Sequence, residues 1–297
     1  MAAKISAIIV NYNAGTLLRK CVDSLLLSPV KVEVIVIDNA STDNSLDSLR
    51  ALECVKLVKN STNTGFAAAC NKGIENAEGD CLLFLNPDCS VHQDSLMELY
   101  SQLYSDQRVG MVGGLLINAD GSEQAGARRA VPTPWRSFVR AFGLTRFSQR
   151  WPRIFFDFHL NKYPLPELSI EVEAISGACM LVKGQAIEDV GNWDQGYFLH
   201  CEDLDWCMRF RQKGWKILFV PTAKITHVQG VCGRSRPLFV EWHKHKGMIR
   251  FYRKFFRHQY PGILMFLVTA GVWLRFGLVA AYHIAKRAEI ALGLRHG

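Results

Sequence analysis

Cys81-Leu82-Leu83-Phe84-Leu85-Asn86-Pro87-Asp88 is the stretch on which the fold turns. Its five apolar residues are too short a run for a helix and read as a buried strand. The Asn-Pro-Asp that ends them is turn chemistry. A carboxylate at the end of a buried parallel strand points into the crevice where open α/β sheets take their ligands. A second acidic cluster, Glu202-Asp203-Leu204-Asp205, lies about a hundred positions downstream and is followed by His227. Brought to one edge by the fold, the two clusters combine a metal-ligating carboxylate with a general base.

Outward from that strand the chain alternates. Ile5-Ser6-Ala7-Ile8-Ile9-Val10 is apolar and β-branched, a buried parallel strand. Asn11-Tyr12-Asn13-Ala14-Gly15 is a turn, and Thr16 to Leu27 carries apolar residues at helical spacing. Val32 to Ile37 is a second strand, and Asp38-Asn39-Ala40-Ser41-Thr42-Asp43 a loop ending in N-cap residues for a helix over roughly Asn44 to Leu52. Val55 to Val58 is a strand and Phe66 to Asn76 a small-residue helix; a helix over Ser95 to Tyr104 follows the strand at Cys81. Val109 to Ile117 is strand-like, and Asp120-Gly121 fits a hairpin turn. This order predicts an α/β fold, a parallel sheet with helices on both faces. Val131 to Pro166, rich in Pro, aromatics and Arg, is the least regular part. Regularity returns at Val172 to Val182, with a helix over Glu202 to Gln212, strands at Lys216 to Val220 and Ala223 to Val228, and helix from Pro237 onward.

Length and composition narrow the classes. A chain of 297 residues makes one large domain or a domain with an appendage, and 49% hydrophobic against 21% charged residues excludes global disorder. The formal charge of +8 is uneven: Trp242 to Ala288 contains no Asp or Glu, and Lys244, Lys246, Arg250, Arg253, Lys254 and Arg257 cluster at its start. Such a block implies an anionic partner. Nucleic acid is disfavoured, because the block adjoins an apolar helix and no nucleic-acid motif. Pro261 to Ala285 is strongly apolar but interrupted by Arg275 and flanked by Lys286 and Arg287, so an interfacial or re-entrant helix fits better than a simple span. The nine cysteines include no CxxC pair, which points to a reducing cytosol with neither a disulfide framework nor a zinc site. The N-terminus leads straight into a strand, and no signal peptide is expected.

Taken together, Val10-Asn11-Tyr12-Asn13, Ile37-Asp38-Asn39-Ala40-Ser41-Thr42-Asp43, Asn63-Thr64-Gly65-Phe66 with Asn71 and Gly73, and Asn86-Pro87-Asp88 resemble the inverting family 2 glycosyltransferases of GT-A fold. Gly177-Ala178-Cys179-Met180-Leu181, Gly191 to Leu199 and Glu202-Asp203-Leu204-Asp205 are similar to the acceptor-side pattern of bacterial rhamnosyltransferase-like members. The resemblance covers roughly Ile5 to Tyr252. It implies a Rossmann-like GT-A mixed sheet at 1–235, with a donor half at about 1–118 and an acceptor half at about 119–235. The basic block beside the apolar stretch makes residues 236–297 a helical membrane-association region, and the composition of Val131 to Pro166 makes that segment a mobile or acceptor-facing insertion.

The resemblance also implies roles. Asp38 binds the nucleoside, against an alternative as an Asx-turn or N-cap residue. Asp43 reads more strongly as a helix-start residue. Asn11 and Asn13 line the base pocket or only shape the turn. Asn63 and Gly65 open a helix whose N-terminus favours anions, near sugar or diphosphate, with Asn71 beyond them. Asn86-Pro87-Asp88 stands where the family has Asp-x-Asp, so one carboxylate is an amide: Asp88 is the metal ligand, Asn86 a weaker donor-side oxygen, and the ion, Mg2+ or Mn2+, arrives with the nucleotide. Asp203 matches the catalytic base, with Glu202 orienting the acceptor or assisting, although carboxylates at a helix start are also stabilised there by the dipole. Asp205 has Arg209 four residues on, an ordinary helix pair. His227 is a second metal ligand or a structural histidine. Of Arg234 and Arg236, one is assigned to the donor or a lipid diphosphate, against a solvated loop charge.

The expected activity is transfer of a sugar, first choice L-rhamnose from dTDP-rhamnose, to a polyprenyl-diphosphate-linked saccharide of a surface polysaccharide. The expected place is the cytoplasmic face of the inner (plasma) membrane, peripheral or monotopic. The rivals are a UDP- or GDP-sugar donor, or a non-catalytic nucleotide-sugar or polyanion-binding protein. A processive synthase is disfavoured, since Gln212-Lys213-Gly214-Trp215 lacks the Arg of the family's Gln-x-x-Arg-Trp.

Overall fold

The central strands bury both faces, and their alternate residues serve two different cores. Ile8, Val10, Ile35, Ile37, Leu82 and Phe84 belong to one cluster; Ile5, Ala7, Ile9, Val34, Val36 and Leu83 belong to the other. The computed structural model describes residues 4–50, 52–228 and 236–291. In chain order the elements are β1 (Ile5–Asn11), α1 (Leu17–Leu26), β2 (Val32–Asp38), β3 (Val55–Lys59), α2 (Phe66–Ile74), β4 (Cys81–Leu85), β5 (Cys89–Val91), α3 (Ser95–Leu103), β6 (Val109–Ile117) and β7 (Arg128–Arg129). There follow α4 (Pro134–Ala141), β8 (Ile170–Glu171), β9 (Ala174–Ile175), β10 (Cys179–Lys183), α5 (Gly184–Val190), α6 (Glu202–Gln212), β11 (Lys216–His227), α7 (Pro237–Phe256) and α8 (Gly262–Ala291).

The main sheet runs β3-β2-β1-β4-β10-β6-β11-β5, with β8 added beside β11. β3, β2, β1 and β4 are parallel; β10 is antiparallel to β4 and β6, and β11 is parallel to β6. It is the expected mixed α/β architecture. Helices α1 and α3 cover one face with Leu18, Cys21, Val22, Leu25, Leu96 and Leu99. The other is covered by α2, α6 and α7, through Ala67, Cys70, Trp206, Phe210 and Phe251. β7 and β9 form a separate two-stranded ribbon.

Four local readings change. The helix expected over 44–52 is only a 3-10 turn at Asp47–Leu49. Side chains there compete for the backbone: Asp43 Oδ1 accepts from Ser45 N, and Ser48 Oγ donates to the Ser45 carbonyl. The two strands expected at 216–228 are one, β11, whose pairing register shifts between Val220 and Lys224, around Pro221. The run at 172–182 is divided into β9 and β10 by a turn over Ser176-Gly177-Ala178. The irregular segment contains α4, which Thr133 caps by accepting from Arg136 N at 3.1 Å.

The C-terminal apolar stretch is one unbroken helix of 30 residues, about 45 Å at 1.5 Å per residue. Among the described residues it is the one helix long and apolar enough to cross a membrane, by length and composition. Arg275, the expected interruption, turns toward α7 and lies 3.1 Å from Nε2 of the fully buried His245. Met265 and Val272 pack on the body, while Ile263, Phe266, Leu267, Leu274 and Leu278 are exposed. The basic block is also partly internal. Arg250 and Lys254 both bind Asp194, and Lys254 reaches the buried Asp205 at 2.6 Å. These two cations therefore tie α7 to the body and are not free for an anionic partner.

Candidate active site

Three parallel strands end together. Asn11 and Asp38 are paired at the ends of β1 and β2, and β4 ends one residue before Asn86. Asn11 Nδ2 donates to Asp38 Oδ1 at 2.8 Å and to Ser45 Oγ at 2.9 Å. Asp38 also accepts from Ser41 N, three residues on, at 3.3 Å, a local bond that shapes the loop. Asn13 Oδ1 accepts from Thr42 N, and Asp43 Oδ2 from Gly15 N, which fastens the first two loops to each other. Asn63 Oδ1 accepts from Asn39 Nδ2 and from Gly65 N, both at 3.0 Å. Asn39 is a hub that sequence reading passed over: its Oδ1 also accepts from Asn60 Nδ2 and Thr64 N.

Gly65 sits at φ +87, and a Cβ there would meet the Phe198 carbonyl oxygen at 2.7 Å. Phe66 N donates to that same oxygen, so the mouth of α2 is clamped to the chain just before α6. Asn71 has a different job from the donor contact expected of it. Its Nδ2 donates to the Trp193 carbonyl and its Oδ1 accepts from Trp193 N, both in the core. With the amide engaged at both ends, the side chain serves as a brace between the halves.

Asp88 and His227 are brought together as expected. β5 and β11 pair Cys89 with His227, and both Asp88 and His227 are buried. Asp88 Oδ1 lies 3.2 Å from His227 Nε2. On the far side of the ring, Nδ1 is 2.5 Å from Gln124 Oε1, while Gln124 Nε2 donates to Asn118 Oδ1 at 3.1 Å. That fixes the Gln124 amide, which accepts from Nδ1 and turns Nε2 toward the carboxylate. A proton on Nε2 or a divalent cation satisfies two such atoms at that distance. An oxygen–nitrogen pair of this kind suits a hard or borderline divalent ion. Cys89 adjoins the pair, with ligand atoms of all three within 4.8 Å. Its thiol is pushed well up, first by burial and then by Asp88, and stays protonated. Asn86 is half-buried and its backbone closes the turn, accepting from Cys89 N.

Glu202 and Asp203 open α6, on which the dipole favours negative charge. His200 and Cys201 just before them both adopt left-handed φ, +68 and +71. Such residues cost of order 1–3 kcal/mol each and persist where packing imposes them; here Gly247 of α7 presses on the His200 carbonyl, where a Cβ would approach to 2.7 Å. Asp203 Oδ2 accepts from Gly177 N at 3.1 Å and from Arg129 Nη2 in an ion pair. Arg129 is held further up than an ordinary guanidinium by that carboxylate, against the effect of its burial. Glu202 is pushed up, to about 8, first by burial and then by Asp203's charge; its Oε2 has no hydrogen-bond partner among the described residues. Asp205 is consumed by Arg209 at 2.7 Å and by Lys254.

One turn couples the two acidic clusters. Gly177 N holds Asp203, and the next residue, Ala178, accepts from Asn86 N at 2.9 Å. The Asn86 turn and Asp203 are thus fastened to adjacent residues, whose Cα atoms lie about 3.8 Å apart. Arg129 and Gln124 were not singled out from the sequence. Both lie in loop sequence before the irregular segment, and only the Arg128-Arg129 doublet offered a signal. Arg236 is exposed just before α7, with no ion pair among the described residues, and Arg234 lies outside them.

The chain is similar to the N-acetylglucosaminyl-diphospho-decaprenol L-rhamnosyltransferase of Mycobacterium tuberculosis, 28% identical over 240 residues, 76% of each chain. It is also 28% identical to the rhamnosyltransferase WbbL of Escherichia coli K12 over 155 residues, 51% of this chain and 53% of that one. Among solved structures, GalNAc-T7 with UDP, GalNAc and Mn2+ superposes with a TM-score of 0.61 at 20% identity, covering 85% of this chain and 48% of that one. The mannosyltransferase PcManGT from Pyrobaculum calidifontis, with GDP-Man and Mn2+, gives 0.58 at 17% identity, covering 98% and 81%. These structural likenesses establish the GT-A fold. The family model for glycosyl transferase family 2 matches residues 6–178, more than half of the chain, and the protein belongs to that family and is a glycosyltransferase.

Proposed function

We propose that the protein transfers a sugar, first choice L-rhamnose from dTDP-rhamnose, to a hydroxyl of a polyprenyl-diphosphate-linked saccharide, with inversion, at the cytoplasmic face of the inner membrane. The observation that carries this reading is the Ser176-Gly177-Ala178 turn, which binds both Asp203 and the backbone of Asn86, two residues before Asp88. The similarity to a rhamnosyltransferase acting on a decaprenol-linked acceptor supports the choice of sugar and acceptor.

Asp203 removes the acceptor hydroxyl proton as the anomeric carbon becomes oxocarbenium-like, a contribution of typically 10²–10⁴-fold. Arg129 and Gly177 N hold its Oδ2, while Oδ1 accepts from Leu204 N alone, at 2.8 Å, and keeps a lone pair for the acceptor hydroxyl. Glu202, kept neutral near pH 7 by burial, orients the acceptor as a hydrogen-bond donor. Asp88 and His227 hold Mg2+ or Mn2+, and a bound divalent ion supplies neutralisation of the leaving diphosphate. Asn11, Asn13, Asp38, Asn63, Gly65 and Asn86 frame the donor, with Arg234 or Arg236 against a phosphate. Residues 1–235 form the catalytic part, and 236–297 the part by which the protein lies on the membrane.

A donor panel tests this: dTDP-rhamnose, UDP-GlcNAc, UDP-galactose, GDP-mannose and GDP-rhamnose, each with and without Mn2+. A native-state ligand at 100 times its Kd adds about 2.7 kcal/mol of apparent stability. dTDP-rhamnose is expected to stabilise only with metal and to be slowly hydrolysed. Stabilisation by a UDP- or GDP-sugar instead would overturn the choice of donor.

A further inference from the structure

The segment between β7 and β8 carries an arrangement that the transfer chemistry does not use. From Gln124 to Phe156 there is no Asp or Glu, yet there are seven arginines. Four are engaged within the protein: Arg128 with Glu123, Arg129 with Asp203, Arg136 with Glu173 and Arg140 with Asp157. Arg146, Arg150 and Arg153 are exposed and make no ion pair among the described residues. Two of them lie over aromatic rings, Arg146 at 4.8 Å from the centre of Phe147 and Arg150 at 5.3 Å from that of Trp151.

The aromatics themselves face solvent. Trp135, Phe138, Phe142 and Trp151 are exposed, Phe142 to 66%. They form runs of touching rings: Trp135 stacks on Phe138 at 5.6 Å, Phe138 contacts Phe142 at 4.4 Å, and Phe147 contacts Trp151 at 6.3 Å. Two runs of exposed aromatic rings accompanied by cations are costly to leave in water and mark an interaction face. Trp and Arg suit the boundary between lipid headgroups and acyl chains, with ring bodies in the apolar layer and guanidinium heads at the phosphates.

Its position in the fold names the occupant. Tyr252 of α7 donates from its hydroxyl to Ser137 Oγ of α4 at 2.7 Å. A cleft of about 650 Å³ is walled by Trp135, Arg136, Arg153 and Ile154 on one side and by Tyr260, two residues before α8, on the other. The platform therefore adjoins the root of the exposed apolar helix. We propose that Thr133 to Phe156 is a second membrane-docking face, which seats the acceptor edge of the protein on an anionic bilayer beside α8. This rests on the reading of α8 as membrane-associated. The functional consequence follows from Arg129, which heads the segment and grips Asp203: docking the platform fixes the base at a set height over the bilayer that holds a lipid-linked acceptor.

Three arginines at an anionic surface contribute together about 100-fold in binding. The test is amide hydrogen exchange on the full chain with phosphatidylcholine vesicles, with vesicles containing phosphatidylglycerol, and without vesicles. Residues 134–156 are expected to gain protection on phosphatidylglycerol vesicles and much less on phosphatidylcholine. In the triple variant R146E/R150E/R153E that gain disappears while protection of α8 remains. Unchanged exchange at 134–156 on vesicles that protect α8 would overturn the proposal and assign the face to another occupant, such as a protein. Protection that survives in the triple variant would overturn it as well. Protection of 134–156 without protection of α8 would sink the reading of α8 and leave the platform standing; protection of neither removes both.

Discussion

At the residue scale, the account depends on what each side chain is held by. Gln124 orients His227 through Nδ1 from 103 positions away, and Arg129 reaches Asp203 across 74. Neither partner was legible in the sequence, because loop residues have no periodicity and pairings over such separations leave no local mark. Asp88, His227, Asp203 and Glu202 were legible, because each lies at the end of a strand or the start of a helix that its neighbours announce. Removing an orienting group behind a metal-ligating histidine typically costs 10–100-fold in affinity. Gln124→Leu is accordingly expected to raise the Mn2+ concentration needed for donor binding by that factor, as titration calorimetry would show; an unchanged requirement would separate His227 from the metal. Glu202 makes a second prediction. Its pKa rises from the ordinary 4.5 to about 8 on folding, so the folded state holds the proton more tightly. Its contribution to stability is full below the unfolded value and is lost as pH rises through the folded one. Between pH 5 and 8, Tm of the native protein is expected to fall more steeply than that of Glu202→Gln. Parallel profiles would mean that Glu202 is ionised throughout.

At the element scale, what the sequence announced best were the buried strands and α6, whose apolar runs and acidic start are local signals. It was silent on β5, three residues long, and misleading at 44–52, where Ser and Asp side chains hold a loop instead of capping a helix. The bulge in β11 likewise needed the partner strand to be seen. The junction of α2 with the chain before α6 is the element contact on which the donor edge depends. Gly65→Ala places a Cβ at a left-handed φ and against the Phe198 carbonyl, a strain of about 1–3 kcal/mol. Urea denaturation is expected to show that loss together with weaker donor binding. A variant as stable as the native protein would mean that the clamp relaxes freely.

At the scale of the whole molecule, the charge that composition advertised is not where it seemed to lie. Arg250 and Lys254 of the basic block bind Asp194 and Asp205 inside the protein, while exposed arginines without an ion pair among the described residues stand on the segment between β7 and β8. Ion pairing is a property of tertiary structure, and a run of like charges in sequence cannot display it. The apolar character of α8 was plain, but not that Arg275 reaches His245 of α7 while Ile263, Phe266, Leu267, Leu274 and Leu278 stay exposed. Truncation after Tyr260 is expected to reduce flotation on neutral vesicles to background while nucleotide binding persists. Flotation that survives the truncation would place the membrane contact elsewhere.

The most direct test of the central claim is Asp203→Asn, assayed for transfer from dTDP-rhamnose to a lipid-linked saccharide, with donor affinity measured on the same preparation. Loss of 10²–10⁴-fold in turnover with donor binding retained is the predicted result. Turnover near that of the native enzyme would contradict the assignment of Asp203 as the base and, with it, the site built around the Ser176-Gly177-Ala178 turn.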